Sequence, residues 1–181
     1  MVRESSRDAI LDVAEAIVRE QGAAHLTLDA AAERAGLSKG GVLYHFQTKD
    51  SLLIALVHRM TQAFQALYEE ARSRMGNDPG RMLEAYIEAG SAAEERLGNT
   101  SCSLIPALAS NPELLEPIRT FYKHHFGQLG NASVGWDQAA VVTLAQDGMW
   151  LLEMLGVSPL EPQDKKRISK LLARLATEKV R

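Results

Sequence analysis

Apolar residues recur along this chain at helical spacing, so it reads as a series of helices punctuated by glycine, proline and small polar residues. Ile10, Val13, Ala14, Ile17 and Val18 form the first stripe, ending near Gly22. Leu28, Ala31, Ala32 and Ala35 form the second, with Thr27 as N-cap and Asp29 in the first turn. Gly36 follows where a helix ends in a left-handed residue. Leu37 can fold back on that helix, and Ser38 can cap a third one, whose apolar face is Val42, Leu43 and Phe46. Thr48 can cap a long helix from Lys49 to about Met75, with Leu52, Leu56, Met60, Ala63, Phe64, Leu67 and Ala71 inward. At the helical rise it would be roughly 40 Å long.

Beyond the break at Gly76-Asn77-Asp78-Pro79-Gly80, a helix is predicted from about Pro79 to Leu97, ended by Gly98-Asn99-Thr100-Ser101. A short helical piece, Ser103 to Ala109, follows. Asn111-Pro112-Glu113 then starts a helix with Leu114, Leu115, Ile118, Phe121, Tyr122 and Phe126. Gly127 to Gly135 reads as a loop. From Trp136 to Leu155 the helix is apolar over most of its girth, as a helix buried on more than one side is. The last helix, from Gln163 onward, has the narrower stripe Ile168, Leu171, Leu172, Leu175 and Ala176, with Lys165, Lys166, Lys170 and Arg174 on its solvent face.

The segment Thr27 to Lys49 carries chemistry that packing alone does not explain. A helix, a short turn with glycine and a second helix make a helix-turn-helix. Lys39 can neutralise a phosphate. Gly40 and Gly41 cost the helix roughly 1 kcal/mol each relative to alanine. That cost is intelligible where backbone approaches a nucleic acid. Tyr44 and His45 can donate to a phosphate or a base edge, and the helix starts at Thr27, Ser38 and Lys49 offer free amides to phosphate. The bland alternative is that the glycines only let helices pack closely and that Tyr44 is half-buried core.

These residues carry a resemblance. Thr27, Ala32, Ala35, Gly36, Ser38, Lys39, Gly40, Tyr44, Phe46 and Lys49, followed by Leu52-Leu53, resemble the signature of the DNA-binding domain of the TetR family of bacterial transcriptional regulators. The match covers the first quarter of the chain; the rest is similar only in length and helical character. The expected fold is all-α. Residues 1–48 are expected to form a three-helix helix-turn-helix domain, and residues 49–181 a helical effector-binding and dimerisation domain. The DNA-contact set is Thr27, Ser38, Lys39, Gly40, Gly41, Tyr44, His45 and Lys49.

The resemblance further implies a homodimer through the two C-terminal helices, binding double-stranded DNA at a palindromic operator. Recognition helices about 34–36 Å apart then enter successive major grooves. The alternative is that both helices complete the monomer core. A small-molecule pocket among the central helices is also implied. Phe64, Tyr68, Tyr86, Cys102, Phe121, Tyr122, Phe126, Gln146, Asp147 and Trp150 are its candidates, an aromatic wall with a few polar points. Asp147 stands out as a carboxylate in a mostly apolar helix.

Composition changes this picture in one respect. The net charge is −3, whereas many DNA binders are strongly basic. In residues 1–50, Arg3, Arg7, Arg19, Arg34, Lys39 and Lys49 are outnumbered by Glu4, Asp8, Asp12, Glu15, Glu20, Asp29, Glu33 and Asp50. DNA binding must therefore depend on placement, with Arg3 and Arg7 in an N-terminal arm.

The single cysteine, Cys102, has no intramolecular disulfide partner and no histidine in a nucleophile pattern. It is either an inert thiol or an oxidation sensor. His124 and His125 are adjacent and point to different faces, so they do not chelate as an i, i+4 pair would. No catalytic set, cofactor motif or metal site is read. There is no apolar run of about 18 residues to span a membrane and no secretory signal, so a cytoplasmic location is expected. The leading expectation is a repressor released from its operator by a small apolar or amphipathic ligand. The alternative is a DNA-bound protein of the same fold that acts through a protein partner without an effector. An enzyme with an incidental helix-turn-helix is the remote third reading.

Overall fold

The computed structural model describes residues 6–180; the side chains of residues 95–102, Cys102 among them, lie outside the description. Among the described residues there are eight α-helices and no strand: α1 (Ser6–Gln21), α2 (Leu28–Ala35), α3 (Lys39–His45), α4 (Lys49–Arg74), α5 (Met82–Ser110), α6 (Glu116–Gln128), α7 (Trp136–Met154) and α8 (Pro162–Leu175). They fall into two compact units, Met1–Thr61 with Asn99–Arg119, and Gln62–Gly98 with Thr120–Arg181.

In the first unit the capping signals act as their chemistry dictates. The Thr27 hydroxyl accepts from Ala30 N at 3.0 Å, and the Ser38 hydroxyl from Gly41 N at 3.1 Å. The Thr48 hydroxyl accepts from Ser51 N at 3.0 Å, and Ser51 Oγ accepts from Thr48 N at 3.1 Å. Each such cap stabilises by roughly 0.5–2 kcal/mol relative to alanine. Gly36 has φ 65° and closes α2 in the left-handed region. Leu37 N donates to Ala32 O and Gly36 N to Glu33 O, which consumes two of the helix's orphan carbonyls. The chain turns there into α3, whose Val42, with the C-cap Phe46 just beyond the helix, is buried in one core with Ile10, Ala14, Ile17 and Ala31. Leu43 does not join this face. It is 38% exposed, because only positions four apart share the narrow buried edge of so short a helix.

The same core takes Leu52, Leu53, Leu56 and Val57 from the start of α4, Leu104 from α5, and Leu114 from the 3-10 turn Pro112–Leu115. Asn111 ties that turn in: its Oδ1 accepts from Glu113 N, and its Nδ2 donates to Asp50 at 3.0 Å.

Two further expectations are corrected. The helix predicted to stop at Gly98-Asn99-Thr100-Ser101 continues, so α5 is one helix from Met82 to Ser110 with Pro106 inside it. The propensity cost of four poor helix formers is small beside the packing of the flanking turns, which bury Ala89 and Ala93 on one side and Leu104 on the other. The segment Gly127–Gly135 is only partly loop. α6 runs on to Gln128, and a 3-10 turn, Leu129–Asn131, buries Leu129 fully.

In the second unit, Leu129, Ala132 and Val134 pack with Met82 and Leu83 of α5, Ala139 and Val142 of α7, and Leu172 and Ala176 at the end of α8. Gln138 fastens α7 to the carboxyl end of α8: its Nε2 donates to Leu175 O and Glu178 O at 2.6 Å, and its Oε1 accepts from Val180 N. Lys165 pairs with Glu153 across the turn between the two helices. Among the described residues no helix is long and apolar enough to cross a membrane.

Candidate functional site

The outer face of the helix-turn-helix is polar and open. Thr27, Ser38, Lys39 and Gly40 are exposed, Tyr44 is 85% exposed, and Gly41, His45 and Lys49 are half-buried. The protein's own packing does not demand glycine here. A Cβ at Gly40 would meet only Ser38 Oγ at 3.9 Å, and one at Gly41 would meet that atom at 3.4 Å. Tyr44 and His45 meet edge to face at 5.0 Å, which orients the phenol with little protein around it.

Several cations of this unit are held in place. Lys39 Nζ lies 2.9 Å from Asp29 Oδ1, tying the start of α3 to the start of α2. Lys49 Nζ donates to Ala24 O at 3.1 Å, across the 3-10 turn Ala23–His25. Arg34 forms two hydrogen bonds of 2.7 Å with Glu20. The Arg7 guanidinium lies 5.3 Å from the Phe46 ring centre. The acidic excess seen in the sequence is therefore partly internal: Glu20 and Asp29 are paired as above, and Asp12 and Glu15 both hold Arg59. These are exposed or half-buried pairs, weakened by solvent screening, so a phosphate can compete for Lys39 at little cost. Arg3 lies outside the described residues.

The second candidate region lies in the second unit, among rings from α4, α5 and α6. Tyr86 is buried and stacks on His125 at 4.3 Å; His125 stacks in turn on Phe121 at 5.9 Å. Phe64 meets Tyr86 and Phe121 edge-on, and Tyr68 meets Tyr86 and His125 the same way. Phe126 lies beside Tyr122 and His125.

Asp147 of α7 is the carboxylate of this cluster. The Tyr86 hydroxyl donates to its Oδ1 at 2.7 Å, and the Tyr122 phenol is near enough to favour the charged carboxylate as well. Burial raises the Asp147 carboxyl above its ordinary value, against the opposing effect of the two phenols. Burial likewise raises both phenols, the carboxylate adding to the effect.

His125, which sequence reasoning passed over, is 3% exposed, and burial lowers its imidazole to about 4. Its only sequence signal is a place four residues beyond Phe121. Its Nε2 lies 3.3 Å from Thr143 Oγ1. The Tyr68 hydroxyl is buried without a partner among the described residues. Gln146 is buried, and its amide fills the space that a Cβ on Gly90 would need, 2.7 Å away. Trp150 is half-buried on α7. Eight of the candidates from Phe64 to Asp147 thus occupy one unit with contacts among the packed helices, while the Cys102 side chain lies outside the described residues.

A third feature is an apolar stripe left uncovered on α7. Val141 is 60% exposed and Leu144 59%, while Leu151 and Leu155 are each 45% exposed. The opposite side of α7 buries Ala139, Val142, Thr143 and Gln146. Leu171 of α8 is also exposed.

Comparison with known proteins agrees with this architecture. Residues 10–56 match the family model for bacterial regulatory proteins of the tetR family, and residues 80–177 match the Tetracyclin repressor-like C-terminal domain. The HTH-type transcriptional regulator BetI of Paraburkholderia phytofirmans is 33% identical over 93% of this chain and 91% of its own length. BetI of Stenotrophomonas maltophilia is 26% identical over 90% of this chain and 88% of its own. Among solved structures, a TetR-family member from Streptomyces coelicolor (SCO1917) superposes with TM-score 0.73 at 22% identity, covering 94% of this chain and 98% of that one. The multidrug binding protein EbrR complexed with malachite green gives 0.70 at 22% identity, covering 93% and 96%. Both have the same fold. The chain belongs to the TetR family and is a DNA-binding transcriptional regulator, not an enzyme.

Proposed function

We propose that this regulator is a cytoplasmic homodimeric repressor, released from a palindromic operator by a small apolar or amphipathic molecule. Residues 1–48 carry the DNA contact, through Thr27, Ser38, Lys39, Gly40, Gly41, Tyr44 and His45, joined by Lys49 at the first position of the next segment. Residues 49–181 carry the effector site and the dimer interface. The observation that supports this most is the uncovered stripe Val141, Leu144, Leu151 and Leu155 on one side of α7. A contiguous apolar face of this kind marks an interaction surface, and a two-fold dimer sets two copies of α3 on one duplex. In this reading Tyr44 and the amides at the start of α3 hold phosphate and fix register, and His45 faces the groove. Lys49 acts chiefly by bracing Ala24, which steadies the start of α4.

The effector site is placed at the Asp147 cluster, between α4, α5, α6 and α7 of the second unit. EbrR, of the same fold, was crystallised with malachite green and with proflavin, which supports a ligand role for a chain of this fold. The deciding experiment places an operator, selected by this protein from random DNA, ahead of a reporter gene. The regulator should silence the reporter, and a small-molecule fraction of its host cells should restore expression. Silencing that no small-molecule fraction reverses would contradict release by an effector.

A further inference from the structure

We propose that the Asp147 cluster is built for an organic cation, with the carboxylate as its counter-ion and the surrounding rings as its wall. This rests on the effector site proposed above and narrows the class of molecule that fills it.

The groups facing Asp147 come from the helices packed against α7. They are the Tyr86 hydroxyl from α5 and the Tyr122 hydroxyl from α6. Both are neutral donors. His125, stacked on Tyr86, is neutral as well near pH 7, since its imidazole is lowered to about 4. No lysine or arginine among the described residues acts on the carboxylate.

An ionised carboxylate offers about four lone-pair positions; the Tyr86 phenol uses one, and Tyr122 is the other phenol that acts on it. Half-buried without a cation, the carboxylate is costly, and among the described residues no side chain offsets the charge. If hydrogen bonding between helices were the whole purpose, a neutral amide could accept from a phenol without the charge. A cationic ligand removes that deficit, a neutral one leaves it, and an anion worsens it. The wall has the matching chemistry: Tyr86, Tyr122, Phe121 and Phe64 carry π-systems whose faces attract a cation. A second unused polar group belongs to the same cluster. The Tyr68 hydroxyl, on a residue 4% exposed, has no partner among the described residues and sits on a ring in contact with Tyr86 and His125.

The test uses two probes of the same shape, phenyltrimethylammonium and tert-butylbenzene, with benzoate as an anionic third. Binding to the full chain is measured by calorimetry at pH 7. The wild-type protein should prefer the cation over its neutral isostere by at least about tenfold, which is 1.4 kcal/mol. In Asp147→Asn that preference should fall below about twofold, with tert-butylbenzene binding unchanged. Tyr122→Phe keeps the carboxylate and should keep the preference. Should Asp147→Asn not fold, the wild-type comparison decides alone.

Equal or tighter binding of the neutral probe, or no binding of the cation, overturns the proposal. A neutral or anionic compound that binds and frees the protein from its operator would overturn only the cation and keep the ligand-released repressor. An operator complex that survives every small-molecule fraction would sink release by an effector, and with it the site on which this proposal rests.

Discussion

Truncation of Leu144 to alanine should weaken dimerisation by one to two orders of magnitude without harming the fold of either protomer. Leu144 is 59% exposed in the isolated chain. Full burial of a leucine side chain contributes roughly 1.5–3 kcal/mol. Covering the exposed fraction of Leu144 is then worth about 1–2 kcal/mol per copy, and a two-fold interface uses each copy, giving about 2–3.5 kcal/mol in all. Alanine retains one methyl group, so the expected rise in the dissociation constant is roughly tenfold to hundredfold. Sedimentation velocity over a dilution series reads this directly. Leu172→Ala is the contrast: Leu172 is 3% exposed in the chain's own core, so its loss should lower stability by about 2–5 kcal/mol. A dimer that dissociates at the same concentration with and without Leu144 would refute the role given to α7. So would a wild-type chain that is monomeric at micromolar concentration.

Three further outcomes follow from particular residues. Gly40→Ala should raise stability by roughly 0.5–1 kcal/mol in urea unfolding, since a Cβ there meets nothing closer than 3.9 Å, yet weaken DNA binding in fluorescence anisotropy. A gain in stability with unchanged DNA affinity would show that the glycine serves no approach to the duplex. For His125 the folded imidazole is lowered to about 4 from an ordinary 6.5, so the unfolded chain binds more protons between those values and stability is lost as pH falls through them. From pH 7 to 5 the loss should be about 2 kcal/mol and should be smaller in His125→Asn; parallel pH profiles for the two proteins would contradict it. Asp147 has the opposite sign. Its folded carboxyl is raised above the ordinary 3.8, so the folded chain holds the proton longer and stability falls as pH rises through that window. Asp147→Asn should therefore be more stable than wild type at pH 7, and a less stable variant would mean that the phenol hydrogen bonds outweigh desolvation.

The first fifty residues were legible because their signals are local. A threonine, a serine and a second threonine each sit three positions before the amide they cap, and Gly36 stands where φ must be positive. Leu43 was misplaced because i, i+3 and i+4 spacing does not tell how wide the buried edge of a seven-residue helix is. α5 was divided in two because Gly98 to Ser101 reads as punctuation, whereas the flanking turns pack well enough to carry the helix through. Nothing in the sequence ties residues 99–119 to the N-terminal helices. That association comes from Leu104 and Leu114 entering the core that holds Leu52 and Leu56, and from Asn111 reaching Asp50, contacts between positions far apart in the chain. The partners of Lys39 and Lys49 were hidden for the same reason. Asp147 was visible as an anomaly in an apolar helix, but its two phenols were not, since they lie on other helices. His125 looked like one of two adjacent histidines until packing separated them, one buried and one exposed.

Selection of bound duplexes from a random pool by the full chain tests the central claim most directly. Binding through paired copies of α3 predicts enrichment of a two-fold symmetric sequence whose half-sites are centred about 34–36 Å, or a multiple of that turn, apart. It also predicts that Tyr44→Ala and Gly40→Ala abolish the enrichment. A pool with no enriched sequence, or an enriched sequence that both variants still recover, would contradict it.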